Sequence, residues 1–284
     1  MENVVNLSFI TNLDCDLPSY YFNIVARNPL WSFTLTGPFG YKTPHDLEAF
    51  KVLIEVVFEE KGLPTIEVPE FIAIGAGGAV SQFLFAIDRF ARAFPKLIKL
   101  PKRIKVYDPD KVEWTNLLRL PYQEYTKNPL GKYKVEVLKE SLPVLGDILE
   151  VSTDKLETFD KNALYIGAPD IETRKKLADM GAKFVMMGHH TDEILFDPNF
   201  LDDFSDSDTA FETYGKIHLG FFGYGFAVGS IVFLSTFEPV MITKKSTKSQ
   251  NDLWDYEKIE EMSMKVGSEK VQLPMVAYDY NYLF

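Results

Sequence analysis

The sequence predicts a doubly wound, mostly parallel α/β sheet over residues 69–284, preceded by a small α+β extension over residues 1–68. Three observations predict it. Short apolar runs recur between segments of helical periodicity, the order expected when parallel strands are joined by crossover helices. The first run is followed by a glycine turn and then a helix. At 284 residues with 46% hydrophobic and 25% charged side chains, the chain is long enough for one large core and too apolar to be disordered.

In order, Trp31–Thr36 alternates apolar and polar residues like a strand, and Gly37 to Gly40 makes a turn. Thr43-Pro44-His45-Asp46 opens a helix that runs to about Lys61 and stops at Gly62. Phe71–Ile74 reads as the first buried parallel strand, followed by Gly75-Ala76-Gly77-Gly78 and a helix from about Ala79 to Phe94. Arg103–Asp108 is a second strand and Gly131–Leu142 a helix. Leu164–Gly167 and Lys183–Met187 are strands flanking a helix over Ile171–Met180. Phe196–Asp208 reads as an acidic loop, Ala210–Phe237 as an apolar helix, and Pro239–Thr243 and Met275–Tyr280 as strands, with a short charged helix near Glu257–Lys265.

Leu219–Phe237 carries no charge over 19 residues and holds Gly225 and Gly229 four apart. This pattern suits either a membrane span or a helix buried in a core or dimer contact. Its four glycines and its Ser/Thr content favour the buried helix, hence no membrane partner. Cys15 is the sole cysteine, and the first residues lack a basic stretch followed by an apolar one. No internal disulfide and no cysteine-based zinc site can form, which together predict a cytoplasmic protein.

The net charge of −11 argues against a broad nucleic-acid-binding surface. The charge is uneven: residues 69–190 hold 19 basic and 16 acidic side chains, whereas residues 191–284 hold 7 and 16. A positive middle within an acidic chain suits a local anion site.

The chemistry concentrates in that middle. Gly75, Gly77 and Gly78 stand between a strand and a helix, where a backbone without Cβ atoms can approach a phosphate that meets the helix N-terminus. Asp108 ends the second strand, where an acid can accept hydrogen bonds from a ribose. Asp110, Asn116, Arg119, Lys132 and Lys134 follow in the runs DPDKVEWTNLLR and GKYK. With GAGGAVS before them, these runs resemble the adenylating core of the ThiF/MoeB superfamily, which includes the ubiquitin-activating enzymes. The Asp-to-Arg block matches the family pattern at every fixed position, and the resemblance covers about residues 69–190 in the manner of divergent phage or plasmid members.

The resemblance implies an adenylation domain of Rossmann-like fold that binds ATP and magnesium. Asp108 would bind the ribose, with Asn116, Arg119 and Lys134 around the triphosphate and Lys132 as an added candidate. Arg119 and Lys134 would act catalytically by stabilising charge on the departing pyrophosphate. Asp170 matches the family's magnesium ligand, although it could equally cap the helix that follows. The substrate would be the carboxyl terminus of a small protein or peptide, and the enzyme a homodimer. Departures are Val80 at the third glycine, Leu120 for a Gln, and Ile171 for an Asn. No cysteine lies beyond residue 15, so the family's zinc pairs and thioester nucleophile are missing, and the acyl group would pass to an outside acceptor. The departures favour a competing reading, a nucleotide-binding protein that has lost catalysis. A nicotinamide-dependent oxidoreductase would account for Gly75–Gly78 and Asp108 but not for Asn116, Arg119 and Lys134. His189 and His190 close the fourth strand and point to opposite sides, so they would not readily share one metal.

Overall fold

The computed structural model describes residues 20–25, 65–113, 116, 128–189, 192–199, 219–251, 254–273 and 277–282. At 20–25, 219–224, 246–251, 254–259 and 277–282 it describes the backbone alone. Cys15, Trp31–Thr36, the turn at 37–40, the helix at 43–61, Arg119, Leu120, His190, the acidic run from Asp202 to Asp208 and the expected helix over 210–218 lie outside the described residues.

The strands are β1 (Tyr20–Val25), β2 (Ile66–Glu67), β3 (Ile72–Ile74), β4 (Ile98–Lys99), β5 (Ile104–Tyr107), β6 (Leu149–Ser152), β7 (Leu164–Gly167), β8 (Lys183–His189), β9 (Glu193–Asp197), β10 (Val240–Asn251), β11 (Trp254–Val266), β12 (Glu269–Leu273) and β13 (Ala277–Tyr282). The α-helices are α1 (Gly78–Ala93), α2 (Lys134–Glu140), α3 (Ile171–Asp179) and α4 (Leu219–Thr236). Nine strands form one mixed sheet in the order β12-β11-β10-β9-β8-β7-β3-β5-β6. Strands β6, β5, β3, β7 and β8 run parallel, and strand order reverses between β3 and β7. From β8 to β12 every pairing is antiparallel. Half of the pairings are thus antiparallel, which corrects the mostly parallel expectation. Strands β8 and β9, and β10 to β12, follow one another without a helix between them, whereas α4 lies in the long connection from β9 to β10.

Alternation along β7 and β8 divides the packing between the two faces. Ile166, Val185 and Met187 join the larger core, with Phe83, Leu84 and Ile87 of α1, Val135 and Leu138 of α2, and Phe226 and Phe233 of α4. Tyr165, Phe184 and Met186 pack with Leu177 of α3 in a second cluster. Helix α1 is buried all round: every residue from 80 to 91 is buried, Ser81, Gln82, Asp88 and Arg89 included. It ends at Phe94, just before Pro95, which disfavours helix at the residue it follows.

Four local expectations change. Helix α2 is shorter than Gly131–Leu142, because Gly131 (φ +77°) turns the chain so that Tyr133 bridges Lys111 before the helix begins. Residues 257–265 form part of a strand. Their Glu, Lys and Met favour helix in isolation, but β11 is paired on both sides, and Met262 and Met264 are buried. Phe196 and Asp197 end a strand and do not start a loop. Phe196 is fully buried against Phe83, Phe226 and Phe233. The fourth parallel strand runs on to His189 because β9 folds back along it, pairing His189 with Ile194.

Glycines Gly225 and Gly229 serve the chain's own packing. A Cβ on Gly229 would stand 2.5 Å from Phe196 Cε2, and one on Gly225 would strike Ile194. Small residues let α4 lie close over β9, and no helix among the described residues is long and apolar enough to cross a membrane. Strand β1 pairs antiparallel with β13, Tyr20 opposite Tyr282, and β2 pairs with β4.

Candidate nucleotide site at the strand ends

The reversal of strand order brings the segments after β3, β5 and β7 to one end of the sheet, the end at which open α/β sheets take their ligands. After β3, Gly75 adopts φ +87°, a conformation that side chains with a Cβ rarely take. The N–H of Gly75 donates to Tyr107 O at 2.8 Å, lacing the turn to β5. Gly77 is the N-cap of α1, with no side-chain cap and no acidic residue in the first turn. Its φ of −75° suits any residue, and a Cβ there would meet nothing within 4 Å. Nothing within the described fold demands glycine at that point. An approaching ligand would. Gly78 opens the helix.

Asp108 follows β5 and is 6% exposed. Its Oδ2 accepts the Ala76 N–H at 2.6 Å and its Oδ1 accepts the Asp110 N–H at 2.8 Å. Burial pushes its carboxyl above the usual range, and these two amides partly offset that. Lys134, the first residue of α2, donates from Nζ to Asp110 Oδ2 at 2.8 Å, and its backbone N–H donates to Asp110 O at 2.9 Å. Asn116 is buried. Its Oδ1 accepts the Glu113 N–H at 2.9 Å while its own N–H donates to Glu113 O. Gly75, Asp108, Asp110 and Lys134 therefore form one connected set. Lys132 is not in it, since its Nζ lies 3.5 Å from Glu140 on the surface.

Asp170 begins a second set beyond β7. There Gly167 (φ +151°) lies so close to β3 that a Cβ would strike the Ile74 carbonyl. Asp170 caps α3, its Oδ1 accepting the Thr173 N–H at 2.7 Å, and its Oδ2 lies 3.5 Å from Lys155 Nζ. The Thr173 N–H holds the Asp170 carboxyl below the usual range despite some burial, and Lys155 adds to that. Arg174 Nε donates to Pro169 O at 2.8 Å. Among the described residues no cluster of three or more His, Cys, Asp or Glu could hold a metal alone.

Two contributors escaped the sequence reading. Ser81, the last residue of the GAGGAVS run, adds a contact that the run does not indicate: its Oγ donates to Ala76 O at 3.0 Å. Lys155 lies 15 residues before Asp170, and no local pattern pairs them.

The sequence matches no family model, and no curated protein is significantly similar to it. Solved structures similar in shape include E. coli MccB with succinimide, at 16% identity over 78% of this chain and 72% of that one, with a TM-score of 0.39. E. coli MccB with ATP is 15% identical over 81% of this chain and 69% of that one, with a TM-score of 0.39. PaaA is 13% identical over 75% of this chain and 80% of that one, also with a TM-score of 0.39.

Proposed function

We propose that this chain adenylates a carboxylate, the C-terminus of a small protein or peptide. The carboxylate oxygen attacks the α-phosphorus of ATP, the bond to the bridging oxygen breaks, and pyrophosphate leaves with that electron pair. The observation that carries the reading is Gly77: an uncapped helix start whose glycine leaves open space for a phosphate, in a turn tied through Asp108 and Asp110 to Lys134. The DPDKVEWTNLLR and GKYK runs supply the rest. Lys134 and Arg119 would stabilise the charge that builds on the pyrophosphate, more in the transition state than in the ground state. Asn116 would help to enclose the triphosphate.

Magnesium fits this set in a limited way. Asp170 is half-exposed and its carboxyl is kept ionised, so it could supply the single carboxylate that a phosphate-bound magnesium needs. When bound, the ion would draw charge from the β and γ phosphates. With no cysteine after residue 15, the acyl group would pass to an external amine, thiol, sulfur donor or peptide amide.

ATP–pyrophosphate exchange in the presence of peptides with free C-termini tests the proposal. Carboxylate-dependent exchange, lost in K134A, is expected. A second reading, a nucleotide-binding protein without catalysis, draws on Val80, buried where the family pattern has its third glycine. ATP binding with no exchange for any carboxylate would favour it.

A further inference from the structure

We propose that Asp108 is a positioning residue for the phosphate turn, and that its removal is felt by the polyphosphate of a ligand rather than by its sugar. This rests on the nucleotide reading of the turn and assigns how that turn is held in shape.

Both carboxylate oxygens of Asp108 already accept backbone N–H groups, one from each loop of the site: Ala76 at 2.6 Å and Asp110 at 2.8 Å. The residue is 6% exposed, which leaves little of it for a ribose to reach. Ala76 is completely buried and is held at both of its peptide groups, its N–H by Asp108 and its C=O by Ser81 Oγ at 3.0 Å. The flanking residues are fixed too, Gly75 N–H on Tyr107 O and Ser81 N–H on Gly77 O. Four contacts thus fix the backbone around Gly77, and Asp108 reaches the turn from the end of the neighbouring strand β5. The Asp108 backbone is itself anchored, its N–H donating to Ser152 O at 3.1 Å. A turn held on its inner side presents its outward amides in one geometry, so a phosphate need not order it on binding. The Asp110 bond extends the ordering to the second loop, because the Asp110 carbonyl also accepts the Lys134 backbone N–H.

Asn at position 108 keeps one acceptor but turns an NH2 donor toward an amide N–H, so one of the two bonds must fail. Inorganic tripolyphosphate separates the two roles because it has no sugar. D108N is expected to weaken wild-type binding of ATP and of tripolyphosphate by the same factor, about tenfold, in isothermal titration. The hydrogen-bonded Ala76 amide proton, followed by NMR with selective alanine labelling, should move upfield in D108N at unchanged fold. A D108N variant that loses ATP affinity yet binds tripolyphosphate like the wild type would overturn the proposal and return Asp108 to the ribose. If D108N does not fold, S81A carries the same test on the other side of Ala76. It should weaken both ligands equally by two- to fivefold, and no change in either would overturn the proposal. Wild-type protein that binds neither ligand refutes the nucleotide reading itself, and the assignment of Asp108 falls with it.

Discussion

Lys134 Nζ and Asp110 Oδ2 lie 2.8 Å apart, and the backbone N–H of Lys134 donates to Asp110 O at 2.9 Å. The lysine side chain is 13% exposed and the aspartate 65%, so a nearly buried ammonium is held by a solvent-facing carboxylate. An arriving triphosphate would compete with Asp110 for that ammonium. Exposed pairs contribute less than about 1 kcal/mol, and D110N should lower the unfolding free energy by no more than that. Tripolyphosphate should bind D110N a few-fold more tightly than wild type, and K134A about tenfold more weakly. AMP, with no β or γ phosphate, should distinguish neither variant from wild type. Equal effects on AMP and ATP in titration calorimetry would place Lys134 away from the outer phosphates.

Asp170 combines two roles that substitution can separate. Asn is as good an N-cap as Asp, whereas Ala leaves the Thr173 N–H without its acceptor. D170A should therefore cost about 1 kcal/mol in urea unfolding and D170N less than about 0.5. Both should abolish ATP–pyrophosphate exchange if the carboxylate serves the metal. Exchange that survives in D170N would reduce Asp170 to a cap.

The same residue gives a pH dependence. Its folded carboxyl titrates below the ordinary value because the Thr173 N–H donates to the ionised form. Its contribution is fully present above the unfolded value of about 3.9 and is lost as pH falls through the lower folded value. The stability difference between wild type and D170N should stay constant from pH 7 to 5 and shift against the wild type below pH 4. A difference that is flat down to pH 2.5 would mean that the charge contributes nothing.

Much of the parallel half is legible because β3 and β7 are short apolar runs followed by turns, but β6 is not, because Glu150 and Ser152 leave Leu149–Ser152 without an apolar run. Leu164–Gly167 came out at its observed bounds, and α1 and α3 within a residue at each end. The antiparallel half was not, because a strand such as β11 owes its state to partners on both sides. Its Glu, Lys and Met carry the opposite local preference. In the site, the sequence pointed to Asp108 by its place at a strand end and to Asp110 and Lys134 by the family resemblance, and hydrogen bonds join the three. The sequence could not reveal that Asp108 faces two amides, or that Lys155 stands beside Asp170, since those contacts are set by how separate loops meet.

Helix α4 offers a test of close packing. Its glycines should resist substitution to different degrees, although alanine favours helix by about 1 kcal/mol at each site. A Cβ on Gly229 meets the Phe196 ring at 2.5 Å and Ile242 Cδ1 at 3.1 Å, and that ring is wedged between other aromatics. A Cβ on Gly225 meets the Ile194 Cδ1, the end of a side chain that can rotate. G229A should destabilise by about 1–3 kcal/mol net, and G225A by less than about 1. Comparable thermal shifts for the two would show that Phe196 gives way as easily as Ile194.

Two other glycines separate fold from ligand. Gly167 is required by the chain itself, being at φ +151° with the Ile74 carbonyl where a Cβ would stand. Its replacement must push β7 away from β3, where Ile74 pairs with Gly167. G167A should cost at least about 2 kcal/mol and cut soluble yield, whatever the ligand. Gly77 is at φ −75° with nothing within 4 Å of a Cβ, so G77A should unfold within about 1 kcal/mol of wild type. The added methyl would stand where a phosphate must approach the start of α1, and ATP affinity should fall more than tenfold. Thermal melts and titrations on the same two preparations decide it. A G77A variant that is stable and binds ATP like the wild type would remove the turn from the site.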